Sequence, residues 1–177
     1  MFAVGGFCFL LVIGTLAEGQ IYQALARQDL ELSPESAAAL AAGRPEPGTP
    51  LGTIAIPQAG IDAVILEGTS STVLRRGVGH FPGTGLPGSR GNFALAAHRD
   101  TFFRDLRHIQ PDDRVEITTP QETFVYQVES TRVVEPTAVD VLEEQKGGTL
   151  TLITCYPFTY IGPAPQRFVV TARLIPE

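Results

Sequence analysis

A chain of 177 residues, 44% hydrophobic and 18% charged, has the length and apolar content to bury one core of domain size. Its 18 Gly and 14 Pro, with one Met and no Trp, divide it into many short elements, which argues for a β-rich body and against a bundle of long helices. A net charge of −6, with no run of Lys or Arg, excludes the sustained attraction to phosphates on which nucleic-acid binding rests.

Residues 1–17, MFAVGGFCFLLVIGTLA, carry no charged side chain. As a helix they would extend about 26 Å, slightly short of a hydrocarbon core about 30 Å thick. Three readings stay open for this segment: a retained membrane anchor, an export signal cleaved near Thr15 or Ala17, and a helix buried in a soluble domain. The first two place the body outside the cytoplasm. Cys8 lies in this segment and Cys155 far along the chain, so no disulfide within the body is expected. An unpaired thiol in an exported body is an oxidation liability unless it is buried or used.

Residues 18–33, EGQIYQALARQDLELS, continue with Ile21, Ala24 and Leu25 at helical spacing and are expected to extend the first helix. Ala, Pro and Gly then dominate to residue 50, a linker composition, and the folded body is expected over 51–177. Within it LGTIAIP and IDAVILEG read as strands, STVLRRG as a short helix, and GHFPGTGLPGSRGN as a Gly- and Pro-rich connection. NFALAAH is the next strand, FFRDLRHI a short helix or turn, RVEITTP and ETFVYQVESTRVVEP further strands, and VDVLEEQ a small acidic helix. TLTLITC and QRFVVTARLI close the chain. Seven or eight short strands with few helices and no repeat period fit an all-β fold, a small barrel or sandwich.

Strand alternation assigns faces. In TLTLITC, Thr149, Thr151, Ile153 and Cys155 share one side, while Leu150, Leu152 and Thr154 share the other. In QRFVVTARLI, the apolar side is Phe168, Val170, Ala172 and Leu174, which leaves Arg167 at the head of the opposite row. If these strands pair antiparallel through the loop YPFTYIGPAPQ, Cys155 and Arg167 become neighbours. Of three histidines, His98 ends the run NFALAAH, His80 lies in the Gly-rich stretch, and His108 follows the FFRDLR turn. A lone histidine in a β domain usually serves on the surface, and a lone strand-end thiol usually serves as filler. The three groups taken together are worth more than each alone. A free thiol with a pKa near 8.5 is only about 3% thiolate at pH 7, so it needs a cation or base beside it to act as nucleophile. An imidazolium at His98 would favour the thiolate and then protonate a leaving amine, and the planar donor fork of Arg167 would hold a carbonyl or developing oxyanion. That set reads as acyl transfer.

The stretch from HFPGTGLPGSRGNFALAAHRDTFFRDL to TLTLITCYPFTYIGPAPQRFVV resembles the sortases, extracytoplasmic cysteine transpeptidases, over roughly residues 51–177. The likeness is carried by TLITC ending at Cys155, by His98 in AAHRDTFF, and by Arg167 opening the last strand, all in the family's order. CYPF and GPAPQRF look most like class D sortases. The resemblance implies an eight-stranded sortase-type β-barrel with a few short helices, preceded by the N-terminal apolar helix as a single-pass anchor in the cell membrane. It implies that Cys155 attacks the threonine carbonyl of a Leu-Pro-x-Thr-Gly-like C-terminal sorting signal on a protein substrate. His98 would serve as general acid and base, Arg167 would orient substrate and stabilise the oxyanion, and Thr154 would help position substrate. The thioester would pass to an amine of a cell-wall precursor or a pilin lysine.

Two features depart from the pattern. No Lys or Arg precedes the apolar segment, and LPGSR at 86–90 lacks a Thr-Gly pair and reads as a turn, not a sorting signal. Some sortases bind calcium, but Asp112, Asp113 and Glu116 read equally as a turn and a strand face, so no metal or other cofactor is expected. A papain-like order is excluded because the cysteine here follows the histidine, and the caspase signature is absent. An exported hydrolase that uses water as acceptor, and a non-catalytic anchored barrel with an inert thiol, are the remaining alternatives.

Overall fold

The alternating apolar runs pair edge to edge in the computed structural model, which describes residues 19, 21–28, 30, 43, 45–143 and 147–176. Eight strands form: β1 (Pro50–Ile56), β2 (Ile61–Glu67), β3 (Val78–His80), β4 (Asn92–Ala96), β5 (Arg114–Thr118), β6 (Thr123–Val134), β7 (Thr149–Tyr156) and β8 (Gln166–Leu174). They close into a barrel in the order β1-β2-β3-β4-β7-β8-β6-β5, so no edge is left open for another chain to pair with. Two neighbouring pairs, β2 with β3 and β4 with β7, run parallel, and the other pairings are antiparallel.

The inward rows fill the barrel. Phe93 and Leu95 of β4, Leu150 and Leu152 of β7, Val170 and Ala172 of β8, and Ile54 and Ile56 of β1 share one buried cluster with Phe103 and Leu106 from the connection after β4. Period-2 alternation accounts for this, since every second residue of a closed sheet must face the interior. On the outer wall a second cluster forms where Val141, from a 3-10 turn over Val139–Leu142, covers Ile153 of β7 and Val169 of β8. The acidic run read as a helix is this one turn, and its continuation over 144–146 lies outside the described residues.

The helix over 21–28, here α1, packs on the barrel wall. The apolar spacing read from the sequence proves to be its outer face: Ile21 and Leu25 are 60% and 56% exposed, whereas Gln23, Ala26 and Leu30 are buried against Val64, Leu66 and Val73. Gln23 decides the docking. Its Oε1 accepts from the Val64 backbone N–H at 2.7 Å and its Nε2 donates to the Arg76 carbonyl, so a polar residue is buried with its groups paired. Arg76 ends a second short helix, α2 (Ser71–Arg76), capped at its start by Ser70. The apolar helix expected over 1–17 lies outside the described residues, among which no helix is long and apolar enough to cross a membrane.

The Gly- and Pro-rich connection hides a strand. His80, expected away from any strand end, closes the three-residue β3 and is 2% exposed. Its Nδ1 lies 2.6 Å from Glu67 Oε2, and its Nε2 lies 3.0 Å from the Gly85 carbonyl oxygen and 2.9 Å from Thr84 Oγ1. This buried pair ties β2 and β3 to the start of the loop. The LPGSR turn rests on the barrel through Gly88, whose N–H donates to Tyr126 Oη at 3.0 Å. Gly88 has φ +73, and a Cβ there would meet the Phe124 ring at 2.0 Å, so only glycine fits.

Burial pushes the Tyr126 phenol above its ordinary value of 10.0, and the hydrogen bond it accepts from Gly88 opposes this by a smaller amount. Below pH 10 the phenol is protonated in both folded and unfolded chains. Above it the unfolded chain loses the proton first, so the stability attached to this group falls as pH rises through the folded value. The urea midpoints of wild type and Tyr126→Phe should therefore differ by a constant amount up to about pH 9, and the wild-type margin should shrink by about pH 11. A difference independent of pH would show that the phenol is not held neutral by burial.

Candidate active site

Pairing register assembles the site. In the parallel pair, Asn92 lies opposite Thr149 and Ala96 opposite Ile153. The match continues past the formal end of β4, because Ala97 N donates to the Ile153 carbonyl at 3.3 Å and Thr154 Oγ1 donates to the Ala97 carbonyl at 2.8 Å. One further step brings His98 level with Cys155. On the other side of β7, Cys155 lies directly opposite Arg167, the second residue of β8. Three separate segments thus bring an imidazole, a thiol and a guanidinium to one end of the barrel.

Alternation puts them on one face. Phe93, Leu95 and Ala97, and likewise Leu150, Leu152, Val170 and Ala172, point into the barrel core. His98, Cys155 and Arg167 are one residue out of step with those rows and therefore face outward. Directly before them on the same outer face, Ile153 and Val169 are roofed by Val141 with Phe81, Val134, Ala138 and Leu142 alongside. Where this roof stops, Cys155, His98 and Arg167 are each half-buried. Thr154 points inward, 2% exposed, and its hydroxyl bond to Ala97 fastens the two strand ends beside the thiol.

Arg167 rests on its own loop: Nη1 donates to the Gln166 and Ala164 carbonyl oxygens at 2.9 and 3.2 Å. On the inner side of the same strand ends Tyr156, Phe158 and Phe168 pack together, with Phe158 and Phe168 ring centres 5.3 Å apart. Cys155 is a free thiol.

Asn92 passes without notice in the sequence. Buried at 2% exposure, it donates through Nδ2 to the Val141 and Glu143 carbonyl oxygens at 2.9 and 3.2 Å and accepts from Thr151 Oγ1 at 2.7 Å. It pins the roof turn to β4 and β7. The available signal was an amide opening an otherwise apolar strand, NFALA, where a buried polar group must find partners. His108 is exposed near Asp105, and His80 is committed to Glu67, so neither joins the site. Asp112 and Asp113 belong to a turn, accepting from Gln127 Nε2 and Gln110 N, and Glu116 lies in β5.

A family model described as the sortase domain matches residues 54–175. The chain belongs to the sortase family. Sortases are cysteine transpeptidases, and this sortase is one on the expected eight-stranded barrel. It is 33% identical over 134 residues to Sortase D of Bacillus subtilis (strain 168), an alignment covering 75% of this chain and 67% of the relative. Among solved structures it is similar to a Clostridium perfringens Sortase D5 transpeptidase, with TM-score 0.76 and 28% identity over 90% of this chain and 99% of that one. It is also similar to the Group B Streptococcus Pilus Island 1 Sortase C2, with TM-score 0.67 and 36% identity over 72% of this chain and 74% of that one. The first two agree with the class D likeness of the sequence around CYPF.

The half-buried position of Cys155 predicts that iodoacetamide alkylates it in the folded sortase, in minutes to hours, without denaturant. Peptide mass mapping would read the adduct. Protection until global unfolding would make the thiol a core group.

Proposed function

We propose that the protein cleaves a Leu-Pro-x-Thr-Gly-like sorting signal after its threonine and joins the threonine carbonyl to an amine, with Cys155 as nucleophile. The observation that carries this reading is the convergence of His98, Cys155 and Arg167 on one outward face through two strand registers. The Cys155 thiolate adds to the threonine carbonyl carbon, and the electron pair moves to the carbonyl oxygen. Arg167, released from the Ala164 and Gln166 carbonyls, stabilises that oxyanion. Collapse expels the glycine amine, which takes a proton from the His98 imidazolium and leaves a thioester on Cys155. The incoming amine attacks the thioester and gives its proton to the neutral His98. The thiolate departs, so the imidazolium–thiolate pair is regenerated. Thr154 keeps the thiol and imidazole strand ends in step.

The acceptor belongs to a cell-wall precursor or to a pilin lysine; the similar Group B Streptococcus enzyme is a Pilus Island 1 sortase. The apolar residues 1–17 hold the enzyme in the cell membrane as a single-pass anchor, with the barrel on the extracytoplasmic side.

The test is incubation of the protein with a set of such peptides and candidate amines, followed by mass analysis. A thioacyl adduct on Cys155 and an amine-joined product are expected. Hydrolysed peptide as the sole product would instead identify water as acceptor. Cys155→Ala should abolish turnover with the fold intact, and Arg167→Ala should lower the rate on the order of 10²-fold or more. Turnover by Cys155→Ala would refute the nucleophile, and a loss under about threefold would reduce Arg167 to packing.

A further inference from the structure

We propose that Arg99 is a positioning residue of this reaction, holding the β7–β8 loop, residues 157–165, against the strand end that carries His98. The proposal rests on the roles just given to His98, Cys155 and Arg167.

Arg99 follows His98 directly, on a turn with a firm base. The Phe103 and Thr101 N–H groups donate to the His98 carbonyl at 3.1 and 3.4 Å, and Phe103 is fully buried in the barrel core. From this base the Arg99 side chain reaches across to the loop on the far side of Cys155. Its Nη2 donates to the Tyr160 carbonyl at 2.6 Å and to the Gly162 carbonyl at 3.0 Å, and its guanidinium carbon lies 5.9 Å from the centre of the Tyr160 ring.

The loop has little else to hold it. Phe158 anchors its beginning in the aromatic packing, and Arg167 takes the Ala164 carbonyl at its end. Between them, over 159–165, the hydrogen bonds that leave the β7–β8 hairpin come from Arg99 alone among the described residues. The Tyr160 side chain is 47% exposed and Ile161 96%, so packing does not fix the loop tip. Several donors in a rigid fork suit a guanidinium to carbonyls two residues apart.

The consequence appears during the reaction. The loop is suspended between two guanidiniums, Arg99 on Tyr160 and Gly162, Arg167 on Ala164 and Gln166. When Arg167 turns to the substrate oxyanion it gives up its loop carbonyls, and Arg99 becomes the remaining tie. It keeps the loop from opening while Arg167 is engaged elsewhere, and so keeps Arg167 within reach of the reacting carbonyl.

Arg99→Ala and Arg99→Lys, each in the full chain, separate this role from general damage. For Arg99→Ala we expect kcat/KM for a sorting-signal peptide to fall on the order of tenfold or more, as a misplacement near 1 Å can produce. Chymotrypsin should cleave after Tyr160 faster than in wild type. Alkylation of Cys155 by iodoacetamide, a reagent too small to need the loop, should stay within about twofold of wild type. Arg99→Lys, which retains a cation able to donate to both carbonyls, should recover part of each loss. Unchanged cleavage after Tyr160 would overturn the proposal, as would unchanged peptide turnover. A parallel loss of alkylation and turnover would also overturn it, by showing that Arg99 supports the His98 turn and not the loop. If wild type turns over none of the peptides, the functional reading has failed and the positioning role falls with it; the cleavage rates then still decide whether Arg99 holds the loop.

Discussion

The parallel pairing of β4 with β7 is the constraint on which the site depends. Parallel neighbours finish at the same end of a sheet, so the residues that leave the core after them emerge together. Here the pairing carries on through Ala97 and Thr154, and the next residues are His98 and Cys155. An antiparallel β8 then begins where β7 ends, which sets Arg167 against Cys155. A slip of one residue in either register would turn one of the three groups into the barrel and replace it outside with an apolar side chain. The buried rows of Phe93, Leu95, Leu150, Leu152 and Val170 oppose such a slip, so the packing that stabilises the barrel also fixes where these three groups emerge.

The outer wall needs cover of its own. Ile153 and Val169 face outward just before the site, and the roof turn that covers them is held by Asn92, a buried amide whose donors and acceptor are all engaged. The His80–Glu67 pair performs a comparable task on the neighbouring strands, where removing one partner alone would leave the other buried without compensation. Both networks use buried polar groups to fix a connection against the strands beside it. The β7–β8 loop lacks such a network and relies on guanidiniums, which can let go of a carbonyl and take up another. The stable half of the site therefore lies on strands, and the adjustable half on one loop.

The sortase family model matches the barrel segment 54–175, while identity to the similar solved sortases of classes C and D runs at 27–36%. The strand registers, and the thiol, imidazole and guanidinium they carry at positions 155, 98 and 167, all lie inside that matched segment.

Much of the barrel was legible because period-2 alternation survives in long strands. TLTLITC and QRFVVTARLI disclosed their faces, and with them the pairing of Cys155 with Arg167. β3 was not legible, since three residues with a glycine at their centre show no period. Helix α1 misled for a different reason: Ile21 and Leu25 are its apolar residues by spacing, yet the helix docks through Gln23 and Ala26, because hydrogen bonds to Val64 and Arg76 and a close approach over a small side chain outweighed apolar area. Sequence alone determined the strands on which a thiol and a guanidinium sit and the faces they share, because alternation and turn chemistry are local. Only the tertiary structure decided that β4 lies beside β7 in parallel, that Asn92 supports the roof, and that Arg99 reaches the loop, because pairings between segments some 60 residues apart are chosen by the packing of the whole barrel.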